Sequence, residues 1–256
     1  MIATLPMYDW PGQSLHWDAF WSQLRDGFRA HGLNAPDRLT RGGPLWDHWE
    51  DPALILGQTC GLPYRTRLHG KVTLLGALDH GLPGAPPGHY YSVLVAHRDT
   101  DGDFADFHDK TLAYNDPHSQ SGWAAAQTHG ASHGFEFTKT LRTGSHAESA
   151  RAVAQNRADI AALDAETWRL IQSFVPDIAE LLRIVDTTRP TPGLPLITSP
   201  GIERELAQEV IDTALANTAP DTRAALHIKG FVRLEADAYL SVPTPAGPAD
   251  MRPSSE

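Results

Sequence analysis

Cysteine is almost missing from this chain. Cys60 is the only one in 256 residues, so no internal disulfide staples the fold and a cysteine-rich metal cluster is excluded. Long hydrophobic runs are missing as well. None approaches the ~20 residues of a membrane-spanning helix, so no membrane insertion is expected. Positive charge is short: 21 Lys and Arg face 31 Asp and Glu, giving a formal charge of −10 and a pI near 5.7. A protein so acidic is a poor partner for nucleic acid or for an anionic membrane surface. The opening Met1-Ile2-Ala3-Thr4-Leu5-Pro6 has neither a basic nor an apolar leader segment. As written it carries no secretory signal, and a cytoplasmic location follows if Met1 is the native start. Repeats and low-complexity blocks are absent too.

What is present is ordinary globular composition, 41% hydrophobic and 20% charged, in a chain long enough for one large domain or two small ones. Read in order, strands and helices alternate. Ile2 to Met7 predicts a first strand, followed by the loop Tyr8-Asp9-Trp10-Pro11-Gly12. Ser14 is placed to cap a helix in which Leu15, Phe20, Leu24 and Phe28 share a face and which Gly32 ends. Leu54-Ile55-Leu56 and Val72 to Leu75 read as strands, with a helix around Leu62 to Leu68 between them. Tyr90 to Ala96 is a longer β-run. Strands are predicted again at Thr111–Tyr114, Phe135–Leu141, Ile160–Leu163 and Leu182–Val185, and a last helix fits Leu206, Val210 and Ala214. The tail from Pro243 onward reads as disordered. Such alternation is α/β with largely parallel sheets.

Chemistry concentrates at three predicted helix starts that directly follow strands. The first is Asn115-Asp116-Pro117-His118-Ser119-Gln120-Ser121-Gly122-Trp123. Asp116-Pro117 makes the turn, Ser119 is an N-cap, and Ser121 and Gly122 fall in the first helical turn. A helix start exposes unpaired N–H groups and partial positive charge. Two hydroxyls and a residue without a side chain beside those donors form a cradle for an oxyanion. No Lys or Arg lies between Tyr114 and Trp123, so neutral donors would do the holding. The second start, Ser145-His146-Ala147-Glu148, has the form of a capping box. A protonated imidazole is disfavoured at a helix N-terminus, which makes His146 a neutral donor to an anion. The third carries Asp164 and Glu166. If the parallel strands share one sheet, the three starts lie on the same edge and their side chains converge. His129 and His133 fall in a Gly/Ser-rich stretch with no thiolate or carboxylate nearby in sequence, so neither a metal nor a cofactor is expected.

Several of these segments recur together elsewhere. Tyr90-Tyr91-Ser92-Val93-Leu94-Val95, then Asn115 through Gly122, then Thr143-Gly144-Ser145-His146 with Ala152-Val153-Ala154 and Ala158 to Ala161 resemble, in order and spacing, the binding proteins of phosphate/phosphite/phosphonate ABC importers. The resemblance covers most of residues 1 to 200. It implies the type II periplasmic-binding-protein fold: two α/β lobes with mixed or parallel sheets, joined by two hinge strands. Lobe one would comprise 1–91 plus 190–256, and lobe two 92–189. It further implies a solute-binding protein that captures a small tetrahedral oxyanion between the lobes, a permease as partner, a monomeric state and a periplasmic location. Ser119 and Ser121, with the N–H groups of Gln120 to Gly122, would hold the oxyanion, and His146 and the Tyr90 hydroxyl would add donors. Tyr8 and the turn Gln58-Thr59-Cys60 would contribute from lobe one. Glu166, with Asp164 in the same turn, falls where relatives place an acid for an ammonium tail. The family's second acid is Leu194 here, and an aromatic of the family pocket falls at or near Cys60; both departures weigh against 2-aminoethylphosphonate. Two other readings stand beside this one: a cytoplasmic sensor or carrier of the same fold, and an enzyme with Cys60 as nucleophile and His146 as base.

Overall fold

The computed structural model describes residues 1–248. The chain divides into two compact units, one formed by Met1–His89 and Pro192–Ser241, the other by Tyr90–Thr191 and the residues from Val242 on. Where the chain passes between them, His89–Tyr90 and Thr191–Pro192 pair as a two-stranded sheet.

The first unit is built on five strands in the order Ile2–Thr4, Leu54–Gln58, Pro195–Thr198, Thr73–Asp79, Gly230–Val232. The first two are parallel, while Pro195–Thr198 runs against both of its neighbours. The sheet is mixed because Pro195–Thr198 arrives from the other unit and not through a crossover helix over this sheet, so the rule that makes βαβ neighbours parallel does not act on it. Against the sheet lies a core of Trp49, Leu54, Tyr64, Leu68, Leu74, Ile197 and Tyr239.

The helix Ser14–Ala30 packs on Arg204–Asn217. Its buried face is Trp17, Phe20, Trp21, Leu24 and Phe28, whereas Leu15 is 83% exposed. At 3.6 residues per turn Leu15 falls on the side of the helix opposite that face, and the two tryptophans fill the positions at helical spacing from Phe20, Leu24 and Phe28. Gly27 lets the two helices approach closely, since a Cβ there would stand 2.9 Å from Val210 Cγ1. Ser14 does not cap the helix; its hydroxyl donates to Asp9 Oδ1 at 2.8 Å, and the N-cap position belongs to Gln13.

The second unit has its own five-stranded sheet, in the order Lys139–Arg142, Thr111–Tyr114, Ile160–Asp164, Ser92–His97, Leu182–Thr187. The first three strands are mutually parallel, and Ser92–His97, the strand that enters from the other unit, is antiparallel to both of its neighbours. Each of the three parallel strands is followed by a helical segment: Gln120–Ala124 running into Ala125–Ser132, then His146–Ala154, then Ala165–Phe174. Their starts therefore share the sheet edge at the strand C-terminal ends, which is where α/β sheets receive ligands.

Two sequence expectations are corrected here. Phe135 and Phe137 precede the strand and do not belong to it. Phe137 is buried against Leu94, Phe104 and Ala126, and the Gln127 side chain takes over its backbone bonds, donating to the Phe137 carbonyl at 2.9 Å and accepting its N–H at 3.0 Å. A side-chain amide thus satisfies the backbone that a ladder would otherwise hold. The tail differs as well. Val242 to Pro248 associates with the second unit and not the first, and the Trp123 indole donates to the Ala246 carbonyl at 3.1 Å. Residues 249–256, part of the segment expected to be disordered, lie outside the described residues.

Candidate functional site

At the end of the strand Thr111–Tyr114 the chain turns on Asp116. Its Oδ1 accepts the His118 N–H at 2.9 Å and its carbonyl accepts the Ser119 N–H at 3.0 Å, while Arg142 pairs with its Oδ2 at 2.8 Å. This turn delivers Ser119 as N-cap. The first helical turn, Gln120–Ala124, is a π-helix, wound one residue wider than an α-helix, and all of its residues are buried. Single π-turns of this kind frequently mark functional sites.

Ser119 Oγ accepts the Gly122 N–H at 3.0 Å. The Gly122 donor, expected to be open for an oxyanion, is therefore engaged by the cap, and the Ser119 hydroxyl proton is what remains to donate. Ser119 Oγ lies 3.4 Å from Ser121 Oγ, and Ser121 Oγ lies 2.9 Å from His146 Nε2. The backbone beneath is held from the sheet, since Ser92 Oγ donates to the Ser121 carbonyl at 2.9 Å. Gly122 has a steric reason: a Cβ there would sit 2.0 Å from Asn115 Oδ1 and 3.2 Å from His146 Cε1. Asn115 Oδ1 is itself buried with no hydrogen-bond partner.

His146 is the first residue of its helix, behind the N-cap Ser145, whose Oγ accepts the Glu148 N–H at 3.1 Å. Burial of the imidazole pushes its pKa from 6.5 down to about 4, with the Ala162 carbonyl opposing weakly. The residue keeps some solvent access while its ring is packed in, and Nδ1 makes no well-formed hydrogen bond. A ring with that pKa is neutral at physiological pH, as the helix dipole favours. It is also a weak base, poorly matched to withdrawing a proton from the serine beside it.

The third start is occupied differently. Asp164 Oδ1 caps its helix, accepting Glu166 N–H at 2.8 Å and Thr167 N–H at 3.1 Å. Glu166 is 1% exposed and ion-paired with Arg169 at 3.2 Å. A carboxylate in that pairing already has a cation. Tyr90 is buried in the crossing strand.

Tyr8, Thr59 and Cys60 belong to the first unit. Tyr8 and Thr59 follow the ends of the adjacent parallel strands Ile2–Thr4 and Leu54–Gln58. Tyr8 is 5% exposed and meets His80 edge-on, with ring centroids 4.9 Å apart. Thr59 Oγ1 and both polar atoms of the Gln58 side chain are buried without hydrogen-bond partners. Cys60 is buried ahead of the short helix Gly61–Pro63. Asn115 and Ser92 join the residues of interest only in the structure, whereas Gln58 already stood in the expected turn Gln58-Thr59-Cys60. Gln58 does leave a trace in the sequence, as the one polar side chain closing an otherwise apolar strand.

The family model for the periplasmic substrate-binding protein of phosphonate ABC transporters matches residues 65–239. No curated protein matches the chain. Among solved structures it is similar to a Xanthomonas citri protein bound to ATP, with a TM-score of 0.66 and 17% identity, covering 88% of this chain and 90% of that one. A binding-protein component of an ABC phosphonate transporter from Pseudomonas aeruginosa aligns with a TM-score of 0.63 and 20% identity over 88% of this chain and 79% of that one. PhnD1 from Prochlorococcus marinus in complex with methylphosphonate aligns with a TM-score of 0.66 and 13% identity over 88% and 89%. At such identities the likeness carries the fold, which is that of the type II periplasmic binding proteins, as the sequence led us to expect.

Proposed function

Because this chain belongs to the family of periplasmic substrate-binding proteins of phosphonate ABC transporters, we propose that the Ser119–Gly122 turn and His146 hold the tetrahedral head of a small phosphonate-like oxyanion for import. The observation that carries this reading is the hydrogen-bonded chain Ser119–Ser121–His146, gathered at one sheet edge from two helix starts. Its members are neutral hydroxyl and imidazole groups, and the missing side chain at Gly122 lets Asn115 and His146 pack against the turn. Charge-assisted hydrogen bonds from neutral donors to an anion contribute about 1.5–3 kcal/mol each, so a few of them suffice for a small ligand. Gln120 and Tyr90 complete the proposed set within the second unit. The permease of an ABC importer is the proposed partner and the periplasm the proposed compartment. Among the described residues no helix is long and apolar enough to cross a membrane.

The role is binding without catalysis. His146, with a pKa near 4, is too weak a base to activate Ser121. The ion pair between Glu166 and Arg169 and the apolar Leu194, 5% exposed, favour a head group with a small uncharged tail over an aminoalkyl one. Calorimetric titration with methylphosphonate, phosphite, phosphate and 2-aminoethylphosphonate tests this. Tighter binding of methylphosphonate or the inorganic anions than of the amino compound is expected. A clear preference for the amino compound would refute the tail assignment, and absence of binding to all four would refute the head-group assignment.

A further inference from the structure

In the second unit, apart from the cradle residues, His129, His133 and Asp186 each bring one ligand atom within 4.8 Å of the other two. His129 and His133 are one helical turn apart, the first in the helix Ala125–Ser132 and the second capping its C-terminus. That spacing puts them on one face, with ring centroids 4.7 Å apart. Asp186 comes from the strand Leu182–Thr187. We propose that these three side chains bind a divalent transition-metal ion of zinc type, with water completing the coordination.

His133 and Asp186 are each oriented by a contact that leaves one ligand atom over. His133 Nδ1 donates to the His129 carbonyl at 3.0 Å, which leaves the lone pair on Nε2, and its N–H is held by the Gly130 carbonyl at 2.8 Å. Asp186 Oδ1 accepts the Thr187 N–H at 2.7 Å, so Oδ2 points to His129 Nε2, 2.8 Å away. Backbone contacts of this kind fix tautomer and carboxylate orientation in metal sites. Around a tetrahedral zinc, ligand atoms stand roughly 3.4 Å apart; here His129 Nε2 and Asp186 Oδ2 are 2.8 Å apart and no separation in the trio exceeds 4.8 Å. Metal entry replaces the proton shared by His129 and Asp186. Phe104 closes one side, with its ring centroid 4.6 Å from His129 and 5.0 Å from His133, and Phe135 and Phe137 stand behind it. Two imidazoles and one carboxylate suit zinc, copper or nickel and disfavour calcium and magnesium, which take oxygen ligands. The site neither includes nor depends on the anion cradle.

Equilibrium dialysis of the full chain against zinc, with cobalt as spectroscopic stand-in, tests the assignment. One zinc per chain at micromolar free metal, a raised unfolding midpoint and the visible absorption of low-coordinate cobalt are expected. His133→Gln, at an exposed position, and Asp186→Asn, which keeps the acceptor for Thr187, should each weaken zinc at least ~10-fold. His31→Gln, in the first unit, and the double change Ser119→Ala/Ser121→Ala should leave zinc affinity unchanged. Absence of zinc binding, or binding that neither His133→Gln nor Asp186→Asn weakens, overturns the proposal.

Discussion

The strand C-terminal ends of the two sheets treat their buried polar groups differently. In the second unit the cradle is wired to itself: Ser119 holds Gly122, Ser121 meets His146, and Asp164 caps its own helix. In the first unit, Gln58 and Thr59 end a fully buried strand with side-chain polar atoms that meet no partner. A satisfied network holds its geometry without ligand, whereas an unmet buried donor or acceptor costs about 1–3 kcal/mol until something supplies the missing bond. The second unit is preorganised along Ser119–Ser121–His146, although Asn115 Oδ1 and His146 Nδ1 there also lack partners among the described residues; Gln58 and Thr59 form no such chain.

The double change Ser119→Ala/Ser121→Ala attacks the wired side most directly. Oxyanion binding should become undetectable by calorimetry, with the unliganded midpoint falling only a few degrees for the lost cap. Ser121→Ala alone should weaken binding ~10- to 100-fold, and His146→Ala at least as much. Binding that survives the double change would remove the cradle from the site altogether.

Acid should separate the units next. His146 titrates near 4 when folded and near 6.5 when unfolded, so the unfolded chain takes up the proton first. Its contribution is full above pH 6.5, is lost as pH falls toward about 4, and amounts to roughly 3 kcal/mol at most. Denaturant titrations across that window should show the loss in wild type and a flatter profile in His146→Asn. Equal slopes in the two proteins would mean that the ring is not desolvated.

Gly122→Ala sharpens the steric half of the comparison. With its Cβ 2.0 Å from Asn115 Oδ1, it should destabilise the fold by about 1–3 kcal/mol and weaken binding with it. Asn115→Gly in the same chain should restore most of the stability, and failure to do so would place the clash elsewhere.

The smallest effect is expected in the first unit. Thr59→Val removes an unpartnered hydroxyl and should raise the stability of the ligand-free protein by up to about 1 kcal/mol, while binding weakens if that hydroxyl serves the ligand. A stability loss would show that Thr59 Oγ1 is satisfied after all.

Much of this was legible along the chain because it is local. Ser119 and Ser145 cap helices as their positions suggested, since an N-cap depends on a side chain and an N–H two or three residues away. Parallel strands ahead of those helices put the starts on one edge, and the Ser121–His146 bond followed from it. Less legible were Leu15, which helical spacing leaves outside the buried face, and Phe135–Phe137, where Gln127 substitutes for a strand neighbour. The engagement of Gly122 N–H by Ser119 was equally hidden, because donor and cap compete in the same turn.

Composition, charge, the alternation of elements and the helix-start chemistry were determined by the sequence itself, through interactions that span a few residues. The tertiary structure alone decided the rest. It brought Asp186 to His129 and His133, packed the His146 ring away from water, and laid Ala246 over Trp123. These outcomes depend on which distant side chains share a volume and how much solvent is left there, and neither quantity is a property of any short stretch of chain.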